Sequence, residues 1–486
     1  MLEWTQLLDA LQREGLLVSV SGGTPQLTGL AVDTRALEAG QLYCAVRGST
    51  VDGHRFVADA VRLGAAAVMV EELTGAAVPE IVVSDGRKAA SAAARAWYGN
   101  PAASLTLIGI TGTNGKTTTT GLVRHLFNAN RSAGSIGTLG AFDGAGNKVP
   151  STAGSLTTPG PLDLHATFAA LVARGVTHVA METSSHSLDQ GRLDGLSFAA
   201  GIFTNLTREH LDYHRTMEHY LAAKLRLSAL LAPGGVEVVN ADDPAWAAIP
   251  PGPRRVTFGV APDADVRAEQ VRLEAGGSRF RLAGQFGAAD VRIPLMGEFN
   301  VSNALAAGAA ALALGMTLDE VVRRLAESPQ VPGRMERLAD APMVVLRDYA
   351  HTPDAMIRVL ATLRPLTPGR LFLLFGCGGD RDRGKRPEMA RIAVEGADVV
   401  AITSDNPRTE DPERILDDME SGMGGAPHLR ITDREEAINR VLGEAREGDT
   451  VLLAGKGHET YQIVGTTKHH FDERDIVRSA LLGRRA

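Results

Sequence analysis

Residues 105–118, LTLIGITGTNGKTT, place an apolar, strand-like run directly before a glycine-rich turn and a helix-like segment. This order predicts a buried strand joined by a tight turn to the start of a helix, an arrangement typical of α/β architectures. Backbone N–H groups of such a turn and the N-terminus of the helix together form a site for phosphate. Lys116 would reach the β- and γ-phosphates of a nucleotide, and the Thr117 or Thr118 hydroxyl would bind Mg²⁺.

The match to the phosphate-binding pattern G-x-x-x-x-G-K-[ST] is incomplete, because Ile110 occupies the position of the first glycine. An ordinary turn before a helix is the alternative interpretation. The apolar strand before the turn and the segment GLVRHLFNA after it favour nucleotide binding.

Composition excludes several classes of protein. A chain of 486 residues predicts two to four domains, and its 44% hydrophobic residues are enough for a core in each. The net charge of −7 and the lack of a basic run argue against nucleic-acid binding. Two cysteines, Cys44 and Cys377, predict a reducing, cytoplasmic location. The longest apolar run, Ala304 to Met316, is too short to span a membrane and predicts a buried helix.

Three blocks are visible along the chain, at residues 1–98, 99–330 and 331–486. A glycine- and proline-containing segment marks each boundary, GNPAAS at 99–104 and ESPQVPGRME at 327–336. Strand-like runs alternate with helix-like segments in all three blocks, which predicts parallel sheets covered by helices.

Polar motifs follow the predicted strands directly. In the second block these are GTNGKTT, TSSHSLDQ and LTREHLDYH; in the third they are AHTPDA, GGDRDRGKRP, DNPR and GKGHE. Open parallel sheets bind ligands at the carboxyl ends of their strands, so we expect the motifs to line binding clefts.

Individual residues suggest a metal site, with alternatives. Glu182 ends the strand THVAME and could bind Mg²⁺ or lie near a helix cap. His210 could contact metal or phosphate, whereas His214, four residues later, is interpreted as structural. From the residues alone, Lys224 is interpreted as an ordinary surface lysine.

The third block carries residues suited to a charged amino acid. Asp405 to Arg408 form an Asn-Pro turn in which Arg408 offers a planar fork for a carboxylate, and Arg381 could offer a second. Glu459 could accept a hydrogen bond from an amine. Exposed ion pairs are the alternative role for each arginine.

These motifs together resemble the Mur ligases of peptidoglycan synthesis over nearly the whole chain. The resemblance rests on GTNGKTT, ETSSHSLDQGR, FTNLTREHLDYH, MGEFNVSNALAA, VPGRMERL, DYAHTPDA, GGDRDRGKRPEM, SDNPR and GKGHETYQ, which occur in the family's order. It implies an α/β fold of three domains: a UDP-substrate-binding domain at 1–98, a central P-loop ATPase domain at 99–330 and a Rossmann-like amino-acid-binding domain at 331–486.

The resemblance implies an ATP-dependent ligase that adds the third amino acid, meso-diaminopimelate, to UDP-N-acetylmuramoyl-L-alanyl-D-glutamate through an acyl phosphate. L-lysine or L-ornithine are alternatives for the amino acid. A relative sharing the ATPase domain, folylpolyglutamate synthase, and a non-catalytic, nucleotide-dependent binding module are more distant alternatives. We expect a cytoplasmic monomer that binds neither membrane nor nucleic acid.

The resemblance also implies roles for individual residues. Those that would hold ATP are Gly112, Thr113, Asn114, Gly115, Lys116, Thr117, Thr118, Asn303, Arg334 and Asp348. Those that would surround magnesium are Thr117, Glu182, His210 and Lys224, the last as a carbamylated lysine. Catalysis would depend on Lys116, Glu182, His210 and Lys224.

Two further sets complete the implied site. Contacts to the UDP-linked substrate would come from Thr34, Ser49, Thr157, Thr158, Ser184, Gln190 and Arg192. The amino-acid pocket would consist of Arg381, Asp405, Asn406, Arg408, Gly455 and Glu459. The chain departs from the usual family residues at Thr34, Leu156, Thr183 and Glu209, and Leu156 affects one sugar-side contact.

Overall fold

A computed structural model describes residues 3–48, 51–150, 156–250, 252 and 254–483, so Ser49 lies outside the described residues. The chain packs as two units. One consists of Met1–Arg267, Ala283–Ala288 and Ser302–Arg324, and the other of Ala268–Leu282, Ala289–Val301 and Leu325–Ala486. The block boundaries at 98 and 330 remain predictions.

The amino-terminal part of the first unit contains a five-stranded sheet in the order β1-β5-β4-β3-β2. Strands β2 to β5 are parallel, and only the edge strand β1, which the sequence patterns did not reveal, is antiparallel. Its elements are α1 (Trp4–Arg13), β1 (Leu17–Ser21), β2 (Gly29–Ala31), β3 (Gln41–Cys44), α2 (Val57–Arg62), β4 (Ala67–Val70), β5 (Glu80–Val83) and α3 (Gly86–Trp97).

The central part is built around a parallel sheet in which β6 lies between β10 and β11. Glu182 at the end of β10 pairs in register with Ile110, and Phe203 at the end of β11 pairs with Thr111. The loops after these three strands therefore leave the sheet at one edge, as the placement of the motifs predicted.

The elements of this part follow in chain order. They are β6 (Thr106–Thr111), α4 (Lys116–Phe127), β7 (Ala133–Gly137), β8 (Gly140–Phe142), β9 (Lys148–Val149), α5 (Pro161–Val172), β10 (His178–Glu182), α6 (Ser185–Asp189), β11 (Phe198–Phe203), α7 (Leu211–His214), α8 (Met217–Ala229), β12 (Leu231–Asn240) and β13 (Arg255–Gly259). Next in chain order are β14 (Val266–Glu274), β15 (Gly277–Gly284), β16 (Gly287–Ile293), α9 (Glu298–Ala313) and α10 (Leu318–Ala326). Most of β14, β15 and β16 belongs to the second unit.

Apolar sequence explains the buried elements. Residues 107–111 of β6 are all buried, so both faces of the strand are covered, as expected for a central parallel strand. The alanine-rich run 304–313 in α9 is buried throughout, which confirms the predicted buried helix. Among the described residues, no helix combines the length and the apolar composition needed to cross a bilayer.

The carboxy-terminal part of the second unit contains a sheet in the order β17-β18-β22-β19-β20-β21, parallel from β18 onward. The motifs DYAHTPDA, GGDRDRGKRP, DNPR and GKGHE follow β18, β19, β20 and β22. The elements are β17 (Glu336–Ala339), β18 (Val344–Asp348), α11 (Pro353–Leu363), β19 (Leu371–Phe375), α12 (Lys385–Gly396), β20 (Val399–Ile402), α13 (Pro412–Glu420), β21 (Leu429–Arg430), α14 (Arg434–Glu444), β22 (Thr450–Ala454), β23 (Tyr461–Val464), β24 (Thr467–His470) and α15 (Glu473–Gly483).

Candidate active site

The turn between β6 and α4 has a backbone that requires glycine. Gly112 and Gly115 have φ values of +145° and +84°, in the left-handed region. A Cβ at Gly112 would lie 1.9 Å from Thr204 Oγ1, and one at Gly115 would lie 2.3 Å from Asn303 Oδ1. The fold thus brings Asn303, far away in sequence, next to the predicted phosphate loop.

Three residues that the sequence patterns did not single out hold this loop in place through hydrogen bonds. They are Thr204, Asn205 and Asn240. Asn205 Oδ1 accepts a hydrogen bond from the backbone N–H of Asn114 at 2.8 Å, and the Thr204 hydroxyl donates to Asn114 O at 2.7 Å. Asn240 Nδ2 in turn donates to Thr204 O at 2.7 Å. Thr204 and Asn205 could have been identified as candidate site residues because they come at the end of a predicted strand. The sequence around Asn240 gives no comparable indication.

Two lysine amines meet at one carbonyl oxygen of the loop. Lys116 Nζ donates to Gly112 O at 2.9 Å and to Thr113 O at 2.8 Å. Lys224 Nζ, on α8, donates to Gly112 O at 2.8 Å. Lys224 is only 1% exposed, so its interpretation as a surface lysine was wrong. Burial, reinforced by the charge of Lys116, holds the pKa of Lys224 well below the ordinary lysine value.

Two of the candidate magnesium ligands, Thr117 and Glu182, have side-chain oxygen atoms that can bind the ion. Thr117, on the first turn of α4, and Glu182 are both buried. The Glu182 carboxylate accepts hydrogen bonds from the Thr138 N–H at 2.9 Å and from the Thr138 hydroxyl at 3.1 Å. Among the described residues, no cluster of three or more His, Cys, Asp or Glu side chains forms a protein-only metal cage. A hydroxyl and a carboxylate beside a phosphate loop fit Mg²⁺, which commonly combines few protein ligands with substrate phosphates.

His210 and His214 lie around the short helix α7. His210 has a left-handed φ of +56°, and its ring centroid is 4.8 Å from that of His186. Burial lowers the pKa of His210, which favours a neutral imidazole that can bind metal. His214 is buried and lies 2.9 Å from the Ser185 hydroxyl, a contact compatible with the predicted structural role.

Five residues assigned to the UDP-linked substrate form one connected network. Thr158 Oγ1 donates to Glu182 O at 2.8 Å and lies 3.3 Å from Ser184 Oγ. Arg192 Nη1 donates to Thr158 O at 3.0 Å, and Arg192 Nε donates to Gln190 Oε1 at 3.0 Å. Thr157 joins the network through the Thr138 hydroxyl, 3.3 Å away. Their proximity to Glu182 places them beside the phosphate loop.

Thr34 also belongs to the residues assigned to the UDP-linked substrate. No contact among the described residues connects it to the network around Thr158. It begins a short 3₁₀ helix, which the Asp33 side chain caps by accepting a hydrogen bond from the Arg35 N–H. Ser49 lies outside the described residues. The role of both in substrate binding therefore remains a prediction.

Arg334 and Asp348 are close to each other in the second unit. The Arg334 guanidinium carbon lies 4.8 Å from the ring centroid of Tyr349. Asp348 Oδ2 accepts a hydrogen bond from the Met335 N–H at 2.7 Å. Burial raises the pKa of Asp348, and the charge of Arg334 opposes that rise. A flat cation and a buried carboxylate are groups that could hold phosphate and ribose.

The predicted amino-acid pocket contains a tight polar cluster. Asn406 Nδ2 donates to Glu459 Oε2 at 2.8 Å, and Lys456 Nζ lies within 3.3 Å of both Asp405 Oδ1 and Asn406 Oδ1. Gly455, with a φ of +106°, begins the loop that delivers Lys456 and Glu459. The sequence patterns identified Gly455 and Glu459 in GKGHE but missed the lysine between them.

The hairpin β23–β24 supports the turn that carries Arg408. The Arg408 N–H donates to Ile463 O at 3.1 Å, and the Gly465 N–H donates to Arg408 O at 2.7 Å. Arg408 has a left-handed φ of +51°, an uncommon conformation for a residue with a side chain. Its Nη1 donates to Gly379 O at 2.8 Å. The Arg408 side chain therefore lies against the glycine-rich loop after β19.

Arg381 is exposed on the same glycine-rich loop, and the contacts of the described residues do not join it to the Asp405 cluster. Arg386, which the sequence patterns missed, is fully buried at the start of α12. It donates to Glu410 Oε1 at 2.9 Å and to Asp418 Oδ2 at 2.8 Å. This ion-pair network holds the residues that follow Arg408.

Family models match all three blocks of the chain. The model described as Mur ligase family, catalytic domain, matches residues 26–98. The Mur ligase middle domain matches residues 110–311, and the glutamate ligase domain of Mur ligases matches residues 333–457.

Individual relatives agree over the full length. A UDP-N-acetylmuramoyl-L-alanyl-D-glutamate–2,6-diaminopimelate ligase from Geobacillus kaustophilus is 46% identical over 473 residues, which cover 95% of this chain and 96% of the relative. A solved structure of a ligase with that name has a TM-score of 0.70 and 35% identity, with 100% of both chains covered. The MurF ligase of Thermotoga maritima, solved in complex with ADP, has a TM-score of 0.65 at 19% identity and covers 94% of this chain and 98% of its own; it shows the shared fold. The chain therefore belongs to the Mur ligase family of ATP-dependent amide ligases, with the mixed α/β, three-domain fold of that family.

Proposed function

We propose that the protein joins meso-diaminopimelate to the D-glutamyl carboxylate of UDP-N-acetylmuramoyl-L-alanyl-D-glutamate. The reaction consumes one ATP and releases ADP and inorganic phosphate. The observation that carries the proposal is the 46% identity, over 95% of the chain, to a ligase named for this reaction. The turn that presents Arg408 beside the Asp405–Glu459 cluster supports it, because a diamino acid with two carboxylates needs both a cation and amine acceptors.

The first step transfers the γ-phosphoryl group of ATP to the D-glutamyl carboxylate. A bond forms between a carboxylate oxygen and the γ-phosphorus, and ADP leaves. The backbone N–H groups of loop 112–118 would bind the phosphates, and Lys116 would release its two carbonyl partners to neutralise the transferring group. Thr117, Glu182 and His210 would hold Mg²⁺, which supplies positive charge at the phosphates when bound.

The second step forms the amide bond. The neutral amine of the amino acid attacks the acyl carbon, and the tetrahedral intermediate collapses with loss of inorganic phosphate. Arg408 would orient the amino acid through its distal carboxylate, while Asp405 and Glu459 would accept hydrogen bonds from the ammonium group that does not react. Thr157, Thr158, Ser184, Gln190 and Arg192 would hold the UDP-linked substrate beside the phosphate loop.

We further propose that Lys224 reacts with CO₂ to form a carbamate, with release of one proton. Only a neutral amine can react in this way, and burial lowers the pKa of Lys224 well below the ordinary lysine value, which favours the neutral form. The carbamate would place an anion next to Lys116, where the unmodified side chain carries an amine. It would thereby provide oxygen atoms for a second magnesium ion.

The direct test incubates the protein with ATP, Mg²⁺ and the UDP-linked dipeptide, and offers meso-diaminopimelate, L-lysine and L-ornithine in separate reactions. We expect product by mass spectrometry, with equal release of phosphate, for diaminopimelate. Product only with lysine or ornithine would keep the ligase and contradict the role of Arg408. Phosphate release that requires neither the UDP-linked substrate nor an amino acid would instead indicate a nucleotide-dependent binding module.

A further inference from the structure

Lys456 is a buried cation in the loop that follows β22, and the steps described above do not use its charge. Its side chain has an exposure of 0%. Gly455 and Gly457, on either side, have φ values of +106° and +53°. A Cβ at Gly457 would lie 2.6 Å from the Cβ of Tyr349. The two glycines therefore permit a backbone path in which the lysine between them lies inside the domain.

The ammonium group of Lys456 joins three residues assigned to the amino-acid pocket. Its Nζ lies 3.3 Å from Asp405 Oδ1, 3.2 Å from Asn406 Oδ1 and 3.5 Å from Glu459 Oε2. Asn406 Nδ2 also donates to Glu459 Oε2 at 2.8 Å. Asp405 and Asn406 follow β20, whereas Glu459 follows β22, so the lysine connects two separate loops of the sheet.

Charge explains why a cation is placed there. The cluster contains two carboxylates and one ammonium group, and it keeps a surplus of one negative charge toward an incoming amine. Without the lysine, the Asp405 and Glu459 carboxylates would repel each other in a largely buried setting, and their loops would have no shared partner of opposite charge. Lys456 itself is enclosed by protein and cannot repel the substrate through direct contact.

We propose that Lys456 is a positioning residue for the amino acid substrate. It holds the acceptor oxygens of Asp405, Asn406 and Glu459 at the spacing that receives the ammonium group of a diamino acid. The inference rests on the proposed function, because it assigns Lys456 to the amino-acid pocket of that reaction.

The test compares steady-state kinetics of the wild type and Lys456→Met, using the amino acid that the wild type accepts. We expect the KM for the amino acid to rise at least about tenfold in Lys456→Met, because the acceptors lose their alignment. The KM values for ATP and for the UDP-linked substrate should change by less than about twofold, and kcat at saturating amino acid by less than about threefold. A purely structural ion pair would affect all three substrates together.

Two further variants make the comparison specific. Lys468→Met removes an exposed cation on β24, 4.3 Å from the ring centroid of Tyr461, and should leave every KM unchanged. Lys456→Gln keeps a hydrogen-bond donor without the charge and should show the same rise in KM as Lys456→Met. If melting curves show that Lys456→Met does not fold, Lys456→Gln replaces it in the comparison of KM values.

Several outcomes would overturn the role of Lys456. These are equal rises in KM for all substrates, a loss of kcat with an unchanged KM for the amino acid, or failure of both variants to fold. If the wild type is active and one of these outcomes is observed, the role of Lys456 is excluded while the proposed function stands. A wild type that forms no product with any of the three amino acids removes the proposed function, and this inference with it.

Discussion

At the level of single residues, Lys224 is defined by its burial. Its amine is enclosed by α8 and the phosphate loop, 4.3 Å from the ring centroid of Tyr220 and hydrogen-bonded to Gly112 O at 2.8 Å. Burial and the charge of Lys116 both lower the pKa of this amine, and the Glu209 carboxylate only partly opposes them. Burial of a charge is costly, so the neutral amine is favoured over the ammonium form at this position.

Replacement of Lys224 by alanine should abolish product formation, because the proposed carbamate is lost. Addition of a short carboxylate such as acetate should restore part of the activity by occupying the space of the side chain. Bicarbonate alone should not, since alanine has no amine to modify. Unchanged activity of Lys224→Ala would contradict a catalytic role. The measurement is phosphate release at saturating substrates, with melting curves as the control for folding.

Arg408 is the residue on which amino-acid selection depends. Arg408→Ala should raise the KM for meso-diaminopimelate at least about tenfold, because a charge-assisted hydrogen bond to the distal carboxylate is lost. The KM for ATP should change little. Arg391→Ala is the matched control, because Arg391 on α12 is 54% exposed and pairs with Glu395 one helical turn away. Equal effects of Arg408→Ala on both substrates would exclude Arg408 from the amino-acid pocket.

His165 on α5 makes stability dependent on pH. Burial lowers its pKa to about 4, and its Nδ1 has no hydrogen-bond partner among the described residues. The unfolded chain, with an ordinary histidine pKa of about 6.5, binds the proton more tightly than the folded chain. The contribution of His165 to stability is therefore lost as pH falls from about 6.5 to about 4.

A His165→Leu variant should lose less stability than the wild type over the same pH interval, because it has no side chain to protonate there. Urea unfolding at several pH values measures the difference in free energy of unfolding. If the free energy of unfolding changes with pH equally in the two proteins, the protonation of His165 does not change on unfolding.

At the level of elements, the turn between β6 and α4 depends on the backbone of its glycines. Gly115→Ala should disturb the turn, because a Cβ there would meet Asn303 Oδ1 at 2.3 Å and the φ of +84° is strained for alanine. We expect the rise in melting temperature on addition of ATP and Mg²⁺ to disappear in this variant. A full ATP-dependent shift would mean that the loop tolerates the side chain.

The matched glycine substitution lies in α14. Gly443 is exposed in the helix, and a Cβ there meets nothing within 4 Å. Gly443→Ala should stabilise the protein by about 0.5–1 kcal/mol through helix propensity and leave the ATP-dependent shift intact.

At the level of the whole molecule, each packing unit has one buried cysteine in its core. Cys44 lies in the core of the amino-terminal sheet and Cys377 in the core of the carboxy-terminal sheet. Burial raises the pKa of both thiols to about 12, so neither is a reactive thiolate near neutral pH. The two thiols can therefore report the unfolding of their own units.

We expect native protein to react with Ellman's reagent at least about a hundredfold more slowly than protein in urea, because labelling requires unfolding. A Cys44→Ala variant leaves Cys377 as a reporter of the second unit alone. Rapid labelling of native protein would contradict the burial of these side chains.

Local patterns predicted much of the architecture. The alternation of apolar runs and helical segments predicted the strands β2 to β6, β10 to β12, β18 to β20 and β22, because a parallel strand buried on both faces must be largely apolar. The edge strand β1 is mostly exposed and lacks a continuous apolar run, so it was missed. The motifs and their order along the chain carried the resemblance to the Mur ligase family.

Long-range packing decided the rest. Taken by itself, the segment around Lys224 looks like an ordinary surface helix. Asn303 and Lys456 lie in motifs that carried the resemblance, but their local sequence does not predict contact with the phosphate loop or the Asp405 cluster. Hydropathy patterns report the average preference of a segment, whereas the state of one charged group depends on which distant groups surround it and exclude water. The sequence therefore determined the order of elements and motifs, and the three-dimensional packing determined the charge environment of the residues assigned to catalysis.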